Sequence, residues 1–300
     1  MKYKVLIVGS SGMLGTDLSQ ELYHDHKVFG ADVIRRSSLA ISGFYKLDIT
    51  KKQNVLAVIK NLNPDIVIHA AAWTDVDGCE LDRKKAYKIN SEGTKNVANA
   101  CKAISAMLIY ISTDFVFDGK RKNPYKEIDK SNPLSIYADS KLKGELAVKR
   151  IVKKHFILRT GWLYGKHGKN FVDTILKKVK GGEDLKVVDD QIGSPTYTKD
   201  LARAIRALLH RRGDMSLTTS TPRRWYGVYH ISNSGSVSWC DYAKEIIKLS
   251  GLQTKVAPIS SKELDRPSRR PKMSVLDNSK FIKFTGHKMR NWQEALKEYV

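Results

Sequence analysis

Four aliphatic residues, Val5, Leu6, Ile7 and Val8, run directly into Gly9, and glycines recur at Gly12 and Gly15 as a helical spacing of apolar residues begins. A continuous apolar run too short for a helix reads as a strand buried on both faces, the kind found in parallel sheets. Glycines in the turn that follows let the chain reverse sharply and let a pyrophosphate approach the backbone. The helix start adds unpaired N–H groups and the positive end of its dipole. Strand, glycine turn and helix in that order make the segment a candidate dinucleotide site and commit the first half of the chain to alternating strands and helices.

The rest of that half keeps the alternation. Residues 14–23, 55–62, 86–104 and 140–155 have helical patterns, whereas 28–31, 65–72, 107–111 and 156–159 read as short strands. Strands separated by helices require right-handed crossovers and a mostly parallel sheet covered on both faces. The expected class is therefore α/β, a doubly wound Rossmann-type sheet with a smaller mixed α/β substrate-binding domain. Residues 1–166 with 186–232 are assigned to the first unit and 167–185 with 233–300 to the second. Within 171–300, helices are expected at 171–179, 198–210, 239–250 and 292–300, and strands at 186–188 and 227–232. The basic, polar stretch 211–226 reads as a mobile surface loop.

Asp32 ends the second strand, 17 residues after Gly15. A carboxylate there accepts hydrogen bonds from ribose hydroxyls and repels a 2′-phosphate, whereas the guanidinium groups of Arg35 and Arg36 could clamp that same phosphate. The two signals conflict, so NADH and NADPH both stay open. Asp48, beside Ile49, is placed either to touch adenine or to cap the helix that follows. Tyr137 and Lys141, four apart at a helix start, share one face, with the ammonium placed to stabilise a phenolate. Such a tyrosine exchanges protons with an alcohol near neutral pH. Thr113, at the end of a strand 24 residues earlier, brings a hydroxyl to the same sheet edge.

The glycine loop, a threonine and Tyr-x-x-x-Lys in this order resemble the extended short-chain dehydrogenase/reductase superfamily. Within it, STDFVFDG (112–119), DQIGSPTYTKDLA (190–202) and RPKMSVLDNSK (270–280) are similar to the dTDP-4-dehydrorhamnose reductase family, and the likeness runs nearly end to end. The resemblance implies an NAD(P)H-dependent reduction of a 4-keto sugar nucleotide, with Tyr137 as proton donor, Thr113 orienting the carbonyl, and Lys141 holding the nicotinamide ribose and lowering the phenol. It also implies a pyrophosphate loop of Gly9, Ser11, Gly12, Met13, Leu14 and Gly15, an adenine contact at Asp48 and Ile49, and a strand edge along the cofactor at Ala70, Ala71 and Ala72. Asn90 matches a structural asparagine at a helix kink in the cofactor half. Thr74, Val76 and Trp162 match substrate contacts, and Arg270 is the basic residue expected nearest the substrate's phosphates. Some relatives bridge subunits through magnesium; Asp17 matches one ligand but the remaining set does not, so no metal is assigned. Trp225, Trp239 and Trp292 are read as packing residues, and His69 as a buried, hydrogen-bonded one.

Two other functions stay open: a nucleotide-sugar epimerase or other reductase, and a noncatalytic regulatory subunit resembling that of methionine adenosyltransferase. Phe115 stands where related dehydratases carry glutamate after the active-site Asp, which argues against dehydration. Three dispersed cysteines without C-x-x-C spacing form no disulfide scaffold, and no apolar stretch reaches spanning length, so a soluble, cytoplasmic protein away from membranes is expected. A net charge of +22 raises the question of nucleic acid. Residues 1–150 hold 24 basic and 17 acidic side chains, +7, and residues 151–300 hold 29 and 14, +15. The excess lies in small clusters without a nucleic-acid signature, so the expected partner is a dTDP-sugar, with a homodimer of the chain left open and no specific nucleic acid.

Overall fold

Strand Lys4–Val8 sits inside a seven-stranded parallel sheet, paired with Lys27–Asp32 on one side and Ile66–His69 on the other. The structure, a computed structural model, describes residues 2–215 and 225–300. Beyond Lys27–Asp32 lies Gly43–Lys46; beyond Ile66–His69 lie Met107–Thr113, His155–Thr160 and Gly227–His230. The chain thus builds outward one way, returns to the middle and builds the other way. Carboxyl ends of Lys4–Val8 and Ile66–His69 diverge at that reversal, which is where open parallel sheets bind ligands.

Period-two alternation sends the first strand's side chains into both layers. Val5 and Ile7 meet Leu14, Leu18 and Leu22 of helix Met13–Tyr23 and Leu201 and Ile205 of helix Thr198–Met215, while Leu6 and Val8 pack with Val55, Ile59, Val97 and Val148. Each of these side chains is buried, so truncating one such as Leu18 to alanine costs about 2–5 kcal/mol. A third core joins helices Phe171–Lys180, Trp239–Ser250 and Trp292–Tyr299 around Tyr164, Tyr197 and Tyr242.

Several elements depart from expectation. The strand expected over 65–72 ends at His69, and Ala70 to Ala72 leave the sheet at the crevice. The helix expected over 86–104 is broken: α-helix Arg83–Tyr87 passes into a π-turn, Lys88–Gly93, before Thr94–Ala103 resumes. Gly43–Lys46 escaped notice because an edge strand shows little apolar patterning. Of the stretch expected as a loop over 211–226, the first residues are helical, since the helix continues to Met215. Residues 216–224 lie outside the described residues. Strand Leu185–Val188, of which 186–188 were assigned to the first unit, pairs with Val256–Ile259 and packs in the third core, whereas Phe281 and Phe284 of Ser279–Thr285, assigned to the second unit, join the first core. Among the described residues no helix is long and apolar enough to cross a membrane.

Candidate active site

The crevice holds two cavities, of about 950 Å³ and about 410 Å³, and both are walled by Gly9, Gly12, Ala70 and Ala72. They are halves of one cleft that meet over the glycine turn. Gly9 takes φ +88°, and a Cβ there would lie 2.5 Å from the Ala71 nitrogen; a Cβ at Gly15 would collide with the Gly9 carbonyl. Those two glycines let the first helix start hard against two strand ends, so its N-terminal N–H groups face the cleft.

Ser11, Asp32, Asp48 and Ile49 line the larger half, together with Trp73, Lys84, Lys85 and Lys88, which sequence reasoning did not single out. Asp32 Oδ2 accepts from the Ser11 N–H at 2.9 Å and Oδ1 from the Val33 N–H at 2.7 Å, fastening the glycine turn to the second strand. Asp48 Oδ1 accepts from both the N–H and the hydroxyl of Thr50, so it shapes the turn into the next helix as well as facing the cleft. The phosphate clamp expected of Arg35 and Arg36 is absent from the cleft wall: both are exposed, and Arg35 lies 5.9 Å from the Phe44 ring. Asn90 is not in the wall either. It sits on the π-turn, its Oδ1 accepting from the Trp73 N–H at 2.8 Å and its Nδ2 donating to the Trp73 carbonyl and to Ser140 Oγ, each at 3.0 Å. One buried side chain thereby fixes Trp73 and ties two helices together.

The smaller half gathers Met13, Leu14, Thr74, Val76, Thr113, Tyr137, Lys141 and Trp162. Ser135 caps helix Ile136–Ile151 by accepting from the Ala138 N–H, which sets Tyr137 in the first turn and Lys141 one turn on. Tyr137 and Thr113 share the wall of this half of the cleft. Burial pushes the Tyr137 phenol above its ordinary value, with Thr113 opposing and the Asp114 charge adding to the rise. That corrects the expectation of a lowered phenol. Lys141 Nζ instead donates to the Ile111 carbonyl at 2.7 Å and rests 4.3 Å from the Tyr110 ring centre, and burial pulls its ammonium down to about 7 against the opposing Glu145 carboxylate. Beneath the site Glu145, wholly buried, accepts from Ser112 Oγ at 2.6 Å and from Arg159 Nε and Nη2 at 2.9 and 2.8 Å.

Asp114 also lines this half and was not foreseen as a site residue. Its carboxyl is 3% exposed, accepts from the Thr113 hydroxyl at 3.0 Å, and is raised to about 6 by burial against bonds from Ser274 and Thr113. Trp239, expected to be core, forms a wall as well, stacked on Trp162 with centroids 3.5 Å apart. Trp162 holds φ +50°, unusual for a bulky residue, and Gly193 leaves room for its ring, since a Cβ there would collide with it. Arg270 is not in the wall: Asp77 Oδ2 holds its Nη2 at 2.8 Å and also pairs with Arg266. His69 is buried, 3.1 Å from Thr94 Oγ1, and burial brings it down to about 3, as fits a neutral packed histidine. Asp17 accepts from Thr198 Oγ1 at 2.5 Å.

Comparison with known proteins finds relatives along nearly the whole chain. The family model described as RmlD substrate binding domain matches residues 3–300. The chain is 39% identical to the spore coat polysaccharide biosynthesis protein SpsK of Bacillus subtilis (99% of this chain, 96% of that protein). It is 36% identical to the dTDP-4-dehydrorhamnose reductase of Streptomyces griseus (98% and 91%). The fold is similar to the crystal structure of dTDP-4-dehydrorhamnose reductase from Bacillus anthracis in complex with NADP, at TM-score 0.87 and 40% identity (100% and 99%).

Proposed function

The chain belongs to the RmlD substrate binding domain family, and from that membership we propose that Tyr137 is the proton donor in its NAD(P)H-dependent reduction of dTDP-4-dehydro-L-rhamnose to dTDP-L-rhamnose. The observation that carries the reading is one continuous cleft. Thr113, Tyr137 and Lys141 stand at one end, a glycine turn lies in the middle, and a cavity large enough for a nucleoside lies at the other end.

The residues fit a dinucleotide. A Cβ at Gly12 would meet nothing closer than the Gly9 carbonyl at 3.3 Å, so its backbone stays open to the cleft. Gly9, Ser11, Gly12, Met13, Leu14 and Gly15 would hold the pyrophosphate, Asp32, Asp48 and Ile49 the adenosine, and Ala70 to Ala72 the face of the cofactor, while Tyr137 and Lys141 flank its nicotinamide ribose. When bound, the reduced nicotinamide supplies hydride to the keto carbon. Negative charge then grows on the keto oxygen, and the phenol, kept protonated by burial, gives it a proton. The phenolate that remains raises the affinity of Lys141 for its own proton, so the ammonium is charged when it is needed. Thr74, Val76, Trp162 and Trp239 enclose the sugar nucleotide, and water is excluded by their bulk.

Incubation with the 4-keto sugar nucleotide and NADPH should oxidise one NADPH per product. Product without loss of reduced nicotinamide would overturn the reductase reading in favour of an epimerase. Tyr137→Phe should lower kcat by about 10²–10⁴-fold while NADPH binding, read by cofactor fluorescence, stays within about twofold. Undiminished turnover would remove Tyr137 from the donor role.

A further inference from the structure

Each reduction takes one proton from Tyr137, so the phenolate left behind must be reprotonated before the next. Asp114 is the side chain built to do this. It is buried beside the reacting end of the cleft, its carboxyl accepts from Thr113 Oγ1 at 3.0 Å, and Thr113 and Tyr137 line the same small cavity with it. Gly161 packs so closely that a Cβ there would collide with the carboxyl. Among the described residues no lysine or arginine pairs with Asp114. Facing it are Thr113 and the Phe115 N–H from its own segment, Tyr137 from helix Ile136–Ile151, and Ser274 from the chain opposite. An acid without a counter-cation, hydrogen-bonded to a hydroxyl that shares a cavity wall with the proton donor, is costly as a purely structural element.

Resting on the reading of Tyr137 as donor, we propose that Asp114, Thr113 and Tyr137 form a proton relay that reloads the phenol after each turnover. The Asp114 O–H breaks as Thr113 Oγ1 takes its proton. Thr113's own hydroxyl proton passes in the same motion to the Tyr137 phenolate oxygen, restoring the phenol. Asp114 is left as a carboxylate and takes a proton from solvent once product leaves and the cleft opens. The carboxyl's rise to about 6 keeps part of it protonated near neutrality, and the new phenolate beside it strengthens its hold on a proton further. Lys141 is the rival source, but its ammonium is turned onto the Ile111 carbonyl.

The relay separates the first turnover from those that follow, because Tyr137 starts loaded. Asp114→Asn, preloaded with NADPH and mixed rapidly with the keto sugar nucleotide, should oxidise one NADPH per site within about twofold of the wild-type rate. It should then slow by about tenfold or more in the steady state. Equal slowing of both phases, or no slowing, would overturn the relay and leave Asp114 a structural or substrate-binding role. Should that variant fail to fold, Ser274→Ala decides. Loss of its hydroxyl raises the Asp114 carboxyl further, so the decline of steady-state kcat with rising pH should move to higher pH; an unmoved profile would overturn the relay. A wild type that oxidises NADPH normally while the relay tests fail removes the relay alone, whereas a wild type that oxidises none removes the reductase reading with it.

Discussion

At the scale of single residues, the motif-bearing positions were legible because their spacing follows from chemistry that must be local. Tyr137 and Lys141 have to share a helix face, and Gly9 and Gly15 have to clear neighbouring backbone. Asp114 and Trp239 were not legible, because what makes them wall residues is a fold-dependent approach: Asp114 to Thr113 and Gly161, Trp239 to Trp162. Arg35 and Arg36 show the opposite error, a chemically apt pair that the strand end leaves in solvent. An exposed charge on a flexible stem contributes little, so replacing both with alanine should change the ratio of kcat/KM for NADPH over NADH by no more than about fivefold, about 1 kcal/mol. A larger loss of NADPH preference would show that the two side chains close onto the 2′-phosphate.

Among elements, the strands and helices of the first half, edge strand Gly43–Lys46 excepted, were readable to within a few residues, since the central strands are buried on both faces and the helices show one clear apolar face. The break in the 83–103 helix was not, because a π-turn changes no apolar period over so short a stretch. Its purpose becomes clear in three dimensions. The extra residue turns Asn90 inward to Trp73 and Ser140 and seats Gly93 where a Cβ would press within 2.8 Å of Ile49. Asn90→Ala would leave the N–H and carbonyl of Trp73 without these partners. It should cost about 2–4 kcal/mol in urea unfolding and weaken cofactor binding, since Trp73 lines the larger half of the cleft. A variant as stable as the wild type would mean that solvent or a neighbour replaces those bonds.

Over the whole molecule, the charge that posed the question of nucleic acid is partly answered within the fold. Arg203, Arg206, Arg211 and Lys283 cluster between helices Thr198–Met215 and Ser279–Thr285, with Arg206 paired to Asp25 and Glu21 and Arg203 to Asp200. That cluster is remote from the cleft and shares no wall with it. Stability toward acid is governed by other groups. His69 and His230 are buried and brought down to about 3, so from pH 6.5 to 3 the unfolded chain takes up protons there that the folded one refuses, and stability falls as pH falls. Asp114, raised to about 6, acts in reverse between about pH 6 and 4. Two histidines outweigh one acid, so these three groups together should lower unfolding free energy by about 1.4 kcal/mol per pH unit below pH 6, after a shallower loss just above it. Urea titrations at successive pH values check this, and stability that rises on acidification through that window would contradict it. The order of the strands has a consequence for biosynthesis. His155–Thr160 finds its outer neighbour only in residues 227–230, after the chain has left to build much of the third core. On the ribosome the sheet therefore waits with one flank uncovered for about 70 residues of translation, and the nascent chain is most vulnerable to pairing with a stranger during that interval.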